Sequence, residues 1–253
     1  ADHADEVVRV RLPMHQKFTA AQRTELASWK SLLELEAAHT EFCDEDASVL
    51  VGLEGLQRLD LFASRVTSKS ISSLVQLRSL QYLSIGATRV SMKDLTGLSH
   101  LPIEELNLVG RNLDEVDAIH SLSQLPRLHT LQVVQCSQSQ LQQVVQLKSL
   151  RELRLFPLPL DPTAFSTLGR LPKLECLRLS VGAPVSTLDF TELSSLQIIE
   201  IRLEFSPATL PELKLAESTK VLSFFGPIVG LDEFVAQHPN LTVWHNASRY
   251  QTP

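Results

Sequence analysis

One spacing recurs along the whole chain and limits what it can become. Apolar residues set at positions 1, 4 and 6 appear as Leu56/Leu59/Leu61, Leu80/Leu83/Ile85, Ile103/Leu106/Leu108 and Leu128/Leu131/Val133. They return as Leu150/Leu153/Leu155, Leu174/Leu177/Leu179 and Leu196/Ile199/Ile201. Weaker copies, Val7/Val10/Leu12 and Leu32/Leu35/Ala37, precede these; Thr219/Leu222/Phe224 and Leu241/Trp244/Asn246 follow. The 11 units begin 22 to 25 residues apart, a ladder that chance does not produce.

Each unit carries the same physical instruction. The last two apolar positions lie two apart, which puts both side chains on one face of a short strand and the residue between them on the other. A polar or Pro-bearing loop follows, and then a second apolar series at spacing three: Ile71/Leu74/Leu77, Leu95/Leu98/Leu101, Val116/Ile119/Leu122/Leu125, Phe165/Leu168/Leu171. That spacing predicts one or two turns of α- or 3-10 helix with a single buried stripe. Neither element can bury its apolar side alone, so the units must stack, parallel strands inside a curve and short helices outside. Ten steps of about 4.8 Å give an inner arc of roughly 50 Å.

The comb L-x-x-L-x-L resembles the first half of the leucine-rich-repeat signature over essentially the whole chain. The resemblance implies a right-handed α/β solenoid, or horseshoe, read here as a single domain with an array over about 7–246 and loose ends at 1–6 and 247–253. The chain departs at the ninth position, where the family places Asn. Here stand His15, Thr40, Ser64, Thr88, Arg111, Cys136, Leu158, Gly182, Glu204 and Pro227. Thr40, Ser64 and Thr88 can hydrogen-bond locally, whereas Leu158, Gly182 and Pro227 offer no side-chain partner, so loop amides must find one elsewhere. The first strand leaves an open edge; either flanking domains cover the ends, or the first helix and the tail around Tyr250 do.

The motifs of the common catalysts are absent: there is no P-loop, G-x-G-x-x-G, H-E-x-x-H or C-x-x-C. His39, Cys43 and Asp44 match no established zinc spacing and read as a loop cluster. Cys136 occupies the signature's Asn/Cys position and reads as a loop-packing thiol; Cys176, between pattern leucines, is expected to be exposed on the inner face. Asp44-Glu45-Asp46 reads as an acidic solvated turn. The expectation is therefore no enzyme, no metal and no cofactor.

Charge and cysteine usage bear on partner and setting. A formal charge of −6 argues against a broad nucleic-acid footprint, which needs a basic face. No apolar run approaches the roughly 18 residues of a membrane span. Three cysteines make no disulfide framework and suit a reducing, intracellular setting. The sequons Asn240-Leu-Thr242 and Asn246-Ala-Ser248 point the other way, to a secreted or cell-surface protein.

The expected function is then that of a non-catalytic module binding another protein through the concave face and ascending loops. One column faces outward there: Arg11, Glu36, Asp60, Ser84, Asn107, Gln132, Arg154, Arg178, Glu200, Ser223, His245. It is acidic early, at Glu36 and Asp60, and basic later, at Arg154 and Arg178 with Arg202 nearby. Beside it run Phe62, Val109, Val134, Phe156 and Phe225, with Val181 and Leu203 one position further, facing the same side or rolling into the ascending loops to bury their own apolar groups. Aromatic and arginine anchors commonly dominate interfaces, so Arg154, Phe156, Arg178, Arg202 and Phe225 are the expected contacts, with Glu36 and Asp60 a second patch. The bland alternative is cross-strand pairing of those arginines with Glu152, Glu175 and Glu200. Two rival functions stay open: an extracellular receptor or adhesion ectodomain, and a regulatory or substrate-recognition part of a phosphatase- or ubiquitin-ligase-type assembly. Oligomeric state is open too.

Overall fold

The computed structural model describes residues 8–110, 113, 117–134, 136–156, 163–204, 208–246 and 248–249. They fall into two compact units, Ala1–Gln132 and Val133–Pro253. The expectations for Arg111, Val116, Pro157 to Pro159, Tyr250 and the loose ends lie outside the described residues.

In the first unit, strands β1 (Arg9–Arg11), β2 (Glu34–Glu36), β3 (Arg58–Asp60), β4 (Tyr82–Ser84), β5 (Glu105–Asn107) and β6 (Thr130–Val134) pair in chain order, all parallel. The register puts the fourth pattern position of each repeat opposite that of the next: Val10, Leu35, Leu59, Leu83, Leu106, Leu131. From Leu35 to Leu131 these side chains are at most 1% exposed. Truncating any one of them to Ala would cost about 2–5 kcal/mol. This stacked comb is the core.

Where each chain leaves the sheet, the eighth pattern position turns left-handed: φ is 56° at His39, 52° at Ala63, 51° at Ala87 and 75° at Gly110. The loops then ladder onto one another, His39 N donating to Phe62 O at 2.7 Å and Ala63 N to Gly86 O at 2.9 Å. At the ninth position Thr40 Oγ1 donates to Ala37 O at 2.7 Å and accepts from Phe42 N at 3.2 Å. Thr88 repeats the first bond onto Ile85 O at 2.7 Å. Threonine thus takes the role expected of it. Ser64 does not: its buried Oγ has no hydrogen-bond partner.

The returning segments of the first unit are short helices, as spacing three requires. They are α1 (Ala20–Ser28), α2 (Asp44–Ala47), α3 (Ile71–Leu74), α4 (Ala118–Ser123) and 3-10 turns at Ser48–Gly52, Ser68–Ser70 and Met92–Leu98. Thr19 and Gln22 cap α1 reciprocally, Thr19 Oγ1 accepting from Gln22 N at 3.2 Å and Gln22 Oε1 from Thr19 N at 2.9 Å. The acidic run is structural rather than solvated. Asp44 accepts from Thr67 N and Oγ1 at 2.8 and 2.7 Å and from Ser70 Oγ. Asp46, 1% exposed, takes Arg23 at 2.5 Å and Cys43 N at 2.8 Å. Only Glu45 is exposed.

The second unit continues the pattern with β7 (Glu152–Phe156) and β8 (Cys176–Val181), and helices α5 (Gln138–Val144) and α6 (Thr163–Leu168). After β8 the outer layer changes. The expected helices of the repeats starting at 174 and 196 are strands instead: β9 (Thr187–Asp189) lies apart from the main-sheet strand β10 (Ile198–Leu203) and pairs with β12 (Glu212–Lys214). A further outer strand, β11 (Ala208–Thr209), pairs beyond β13 (Val221–Phe225) with β14 (Ile228–Val229). The reason is period: Thr187-Leu188-Asp189-Phe190 alternates, with Leu188 and Phe190 at most 1% exposed, and Pro211 opens the next segment. Helix returns once, as α7 (Leu231–Gln237), before β15 (Thr242–His245).

The main sheet of this unit runs β7, β8, β10, β13, β15, all parallel, and closes on an antiparallel strand β16 (Ser248–Arg249). The chain thus folds back over the edge of β15. The last repeat also sits one residue away from its expected register. Val243, 3% exposed, lies opposite Leu222, and Trp244 lies opposite Ser223. The comb Leu241/Trp244/Asn246 is therefore not the core set, and Trp244, not His245, belongs to the outward column. Val181 and Leu203, at 0% and 6% exposure, are core residues rather than part of an outer apolar strip.

Candidate functional site

Strand alternation makes the open sheet face of each unit a grid whose rows can be read from the register. In the second unit the first row is Glu152, Cys176, Ile198, Val221, Thr242; the next is Arg154, Arg178, Glu200, Ser223, Trp244. The row beyond holds Ser180, Arg202 and Phe225, with Phe156 ending β7 on the same face. All five expected contacts of this unit thus share one face.

Their electrostatics differ sharply. Arg154 Nε meets Glu152 at 2.7 Å; Arg178 reaches Glu152 at 2.8 Å and Glu200 at 2.9 Å. The four side chains are 20–37% exposed, so this is a partly shielded, nearly self-neutral network. The Arg178 pairs are the cross-strand pairing that its acidic neighbours allowed, whereas Arg154 pairs within its own strand. Arg202 is different. It is exposed, has no carboxylate partner among the described residues, and lies 5.7 Å over the Phe225 ring. Such a contact is worth about 0.5–1 kcal/mol at an exposed site.

Around that pair the face is apolar. Trp244 is 38% exposed and Ile198 36%, with Val221 and Phe225 half-buried between them. Trp244 escaped the sequence reading because Leu241 and Trp244 satisfy the 1–4 comb, whereas only strand pairing shows that Val243 takes the core position. Cys176, expected exposed, is 8% exposed among these charges. Burial first, then the Glu152 carboxylate, push its thiol up to about 11. The Phe225-Gly226 loop finds its missing partner in the next repeat. Gly226 N donates to Asn246 Oδ1 at 3.0 Å, and His245 Nε2 lies 2.7 Å from Gly226 O.

The first unit carries Glu36 and Asp60 side by side on its face, but they do not form an acidic patch. Glu36 pairs with Arg11, and Glu34 with Arg9 at 2.5 Å. Asp60 accepts from Phe62 N at 2.9 Å, and Arg58 stacks 4.0 Å over Tyr82. Together these line a charge-mixed groove of about 290 Å3. Burial and then Asp60 raise the Tyr82 phenol.

The remaining chemistry-bearing residues are dispersed. His39 packs edge-on against Phe62 at 5.0 Å while Asp44 faces Thr67 and Ser70, so His39, Cys43 and Asp44 do not converge. Cys136 is buried, with Sγ 3.6 Å from Ser137 O. Among the described residues no three His, Cys, Asp or Glu side chains gather as metal ligands. No helix there is long and apolar enough to cross a membrane.

Neither a family model nor a curated protein matches the chain. Solved structures do. An internalin (inlF) from Listeria monocytogenes is 15% identical, with a TM-score of 0.50 over 96% of this chain and 81% of that one. Internalin C2 from the same organism is 17% identical, with a TM-score of 0.46 over 80% of this chain and 83% of that one. At such identities the likeness is one of fold. With the parallel ladder and its buried comb, the first of these gives the chain the fold of an α/β leucine-rich-repeat solenoid.

Proposed function

We propose that the chain is a non-catalytic module that binds another protein on the open sheet face of residues 133–253. Arg202, Phe225 and Trp244 form the centre of this surface, and Phe156, Arg154 and Arg178 its flank. The observation that carries this reading is a solvent-exposed indole and an arginine without a carboxylate partner among the described residues, standing beside a charge network whose arginines and carboxylates pair with one another. Arginine and large aromatics are the residues whose truncation costs interfaces most, commonly about 1 kcal/mol or more each. Arg154 and Arg178 enter already compensated, so they orient a partner more than they attract it. Glu36 and Asp60 belong to a charge-mixed surface on the first unit, proposed as a contact patch in its own right.

The test is comparative capture. A wild-type column and an R202A/W244A column are offered the same extract, and bound proteins are quantified. A partner retained by the first should bind the second at least about thirtyfold more weakly, matching two lost anchors of about 1–2 kcal/mol each. Equal retention of every protein on both columns sinks the reading.

A second reading, a secreted ectodomain, is favoured by one observation: Asn240 of the Asn240-Leu-Thr242 sequon is exposed in the turn after α7. Expression through a secretory pathway followed by glycosidase treatment tests it by mass shift. Three free cysteines, two of them buried, favour the intracellular setting instead.

A further inference from the structure

The strands of residues 133–253 carry a second charged surface, along the edge where they begin. There the backbone ladder continues one residue ahead of the sheet: Glu175 N donates to Arg151 O at 2.8 Å, Gln197 N to Glu175 O at 2.9 Å, and Lys220 N to Gln197 O at 2.9 Å. Arg151, Glu175, Gln197 and Lys220 therefore stand in a row, three steps of about 4.8 Å and about 14 Å from end to end. The turns that precede the strands bring Pro172, Lys173, Ser194, Ser195 and Ser218 beside this row. Together they line an open cleft of about 570 Å3.

The charges in the cleft do not cancel. Arg151, Lys173 and Lys220 face one carboxylate, Glu175, which pairs with Arg151 at 2.8 Å. Lys220 Nζ has only the neutral Gln197 Oε1 at 3.2 Å, and Lys173 has no partner among the described residues. The hydroxyl protons between them are already committed: Ser195 Oγ donates to Pro172 O at 2.8 Å, and Ser218 Oγ to Leu196 O at 2.7 Å. Those oxygens remain acceptors. The cleft thus offers cations toward its two ends and hydrogen-bond acceptors along its middle. A sulfate has no proton to give those acceptors, and a hydrogenphosphate has one or two on a single compact ion; an extended polypeptide spreads one N–H per residue along the cleft.

The geometry points to this cleft as the docking site of an extended peptide segment bearing two carboxylates about four residues apart, since four extended residues span about 13 Å. One carboxylate meets Lys173 and the free N–H groups of Arg151, the other meets Lys220, and the serine oxygens take backbone N–H groups. This site is separate from the Trp244 face and does not depend on it.

The probe is a fluorescein-labelled peptide, Gly-Glu-Gly-Ser-Gly-Glu-Gly, followed by anisotropy against the full chain at low salt. The expected result is binding at least about tenfold tighter than its Gln analogue, weakening steeply as salt rises. K173E/K220E should lose at least about tenfold of that affinity, while R202A/W244A keeps it. Should K173E/K220E fail to fold by circular dichroism, the milder K173Q/K220Q replaces it, with at least about fivefold loss expected. Equal binding of the Gln analogue, or unchanged affinity in the charge variants, overturns the assignment. So does competition by millimolar phosphate beyond that of chloride at equal ionic strength, or binding of phosphatidylserine vesicles in the absence of peptide binding.

Discussion

The Nε of Arg178 lies 2.8 Å from a carboxylate oxygen of Glu152 on the neighbouring strand. Because Glu200 holds the other side of the guanidinium at 2.9 Å, Arg178 is a clasp across three adjacent strands. Its removal leaves two carboxylates only 20–22% exposed with one counter-charge fewer. R178Q should therefore lower stability by about 1–2 kcal/mol, and R178E by more, through like charges on adjacent strands. Urea denaturation measures both. In an R178Q/E152Q double-mutant cycle a coupling of about 0.5–1 kcal/mol is expected; strict additivity would refute the clasp.

Cys176 ties that network to alkaline pH. Its folded thiol titrates near 11 because of burial and Glu152, against an ordinary value of 9.0. A raised pKa contributes stability that is complete below the unfolded value and is lost as pH rises from about 9 to about 11, where the unfolded chain releases the proton first. Wild type should accordingly lose stability faster than C176A across that window in parallel melts. Iodoacetamide at pH 8 should label the partly exposed Cys43 well before Cys176. Equal labelling rates would contradict the buried placement.

Gly86 is a place where only hydrogen fits. A Cβ there would stand 2.4 Å from Val109 O and 2.9 Å from Phe62 Cδ2, so the laddered loops of three consecutive repeats would have to separate. G86A is expected to destabilise the chain by about 1–3 kcal/mol, read as a lower Tm. G55A, whose Cβ would meet nothing closer than 3.9 Å, should leave Tm within a degree or two.

Asp44 contributes to the acid limb. Burial raises its pKa, but hydrogen bonds from Ser70 and Thr67 overcome that and the carboxyl titrates below its usual 3.8. A depressed pKa contributes stability that is present above the unfolded value and lost as pH falls through the folded one. D44A should cost about 1 kcal/mol at neutral pH, as for a lost cap. The gap from wild type should hold constant down to about pH 4 and close below it; a gap that widens in acid would contradict the sign.

Much of the fold was legible in the residues. The comb named the strands, their parallel order and their buried leucines, because burial at period two within a repeat leaves few other packings once the spacing recurs. The local bonds expected of the ninth-position hydroxyls form at Thr40 and Thr88 but not at Ser64, so hydroxyl chemistry marked the candidates without deciding among them. Alternation placed Arg154 and Arg178 on one face, but for Phe156 and Phe225 it left that face and the ascending loops both open, and the strand register chose the face.

What tertiary structure decided were choices between near-equal local options. Trp244 and Val243 are both apolar, and a one-residue slip exchanges every inward side chain for an outward one; only hydrogen bonding of β15 to β13 selects Val243 for the core. Leu188 and Phe190 alternate as a strand does, but only the pairing of β9 with β12 shows where that strand finds its hydrogen bonds, outside the main sheet. Likewise, adjacency of Arg154 and Arg178 could mean an open cation patch or a satisfied lattice, and the answer lay in Glu152 and Glu200 on the flanking strands. Periodicity settles which atoms leave water, since that depends on spacing alone. Partner choice among charges and the register of a weak final repeat depend on distances that no single repeat contains.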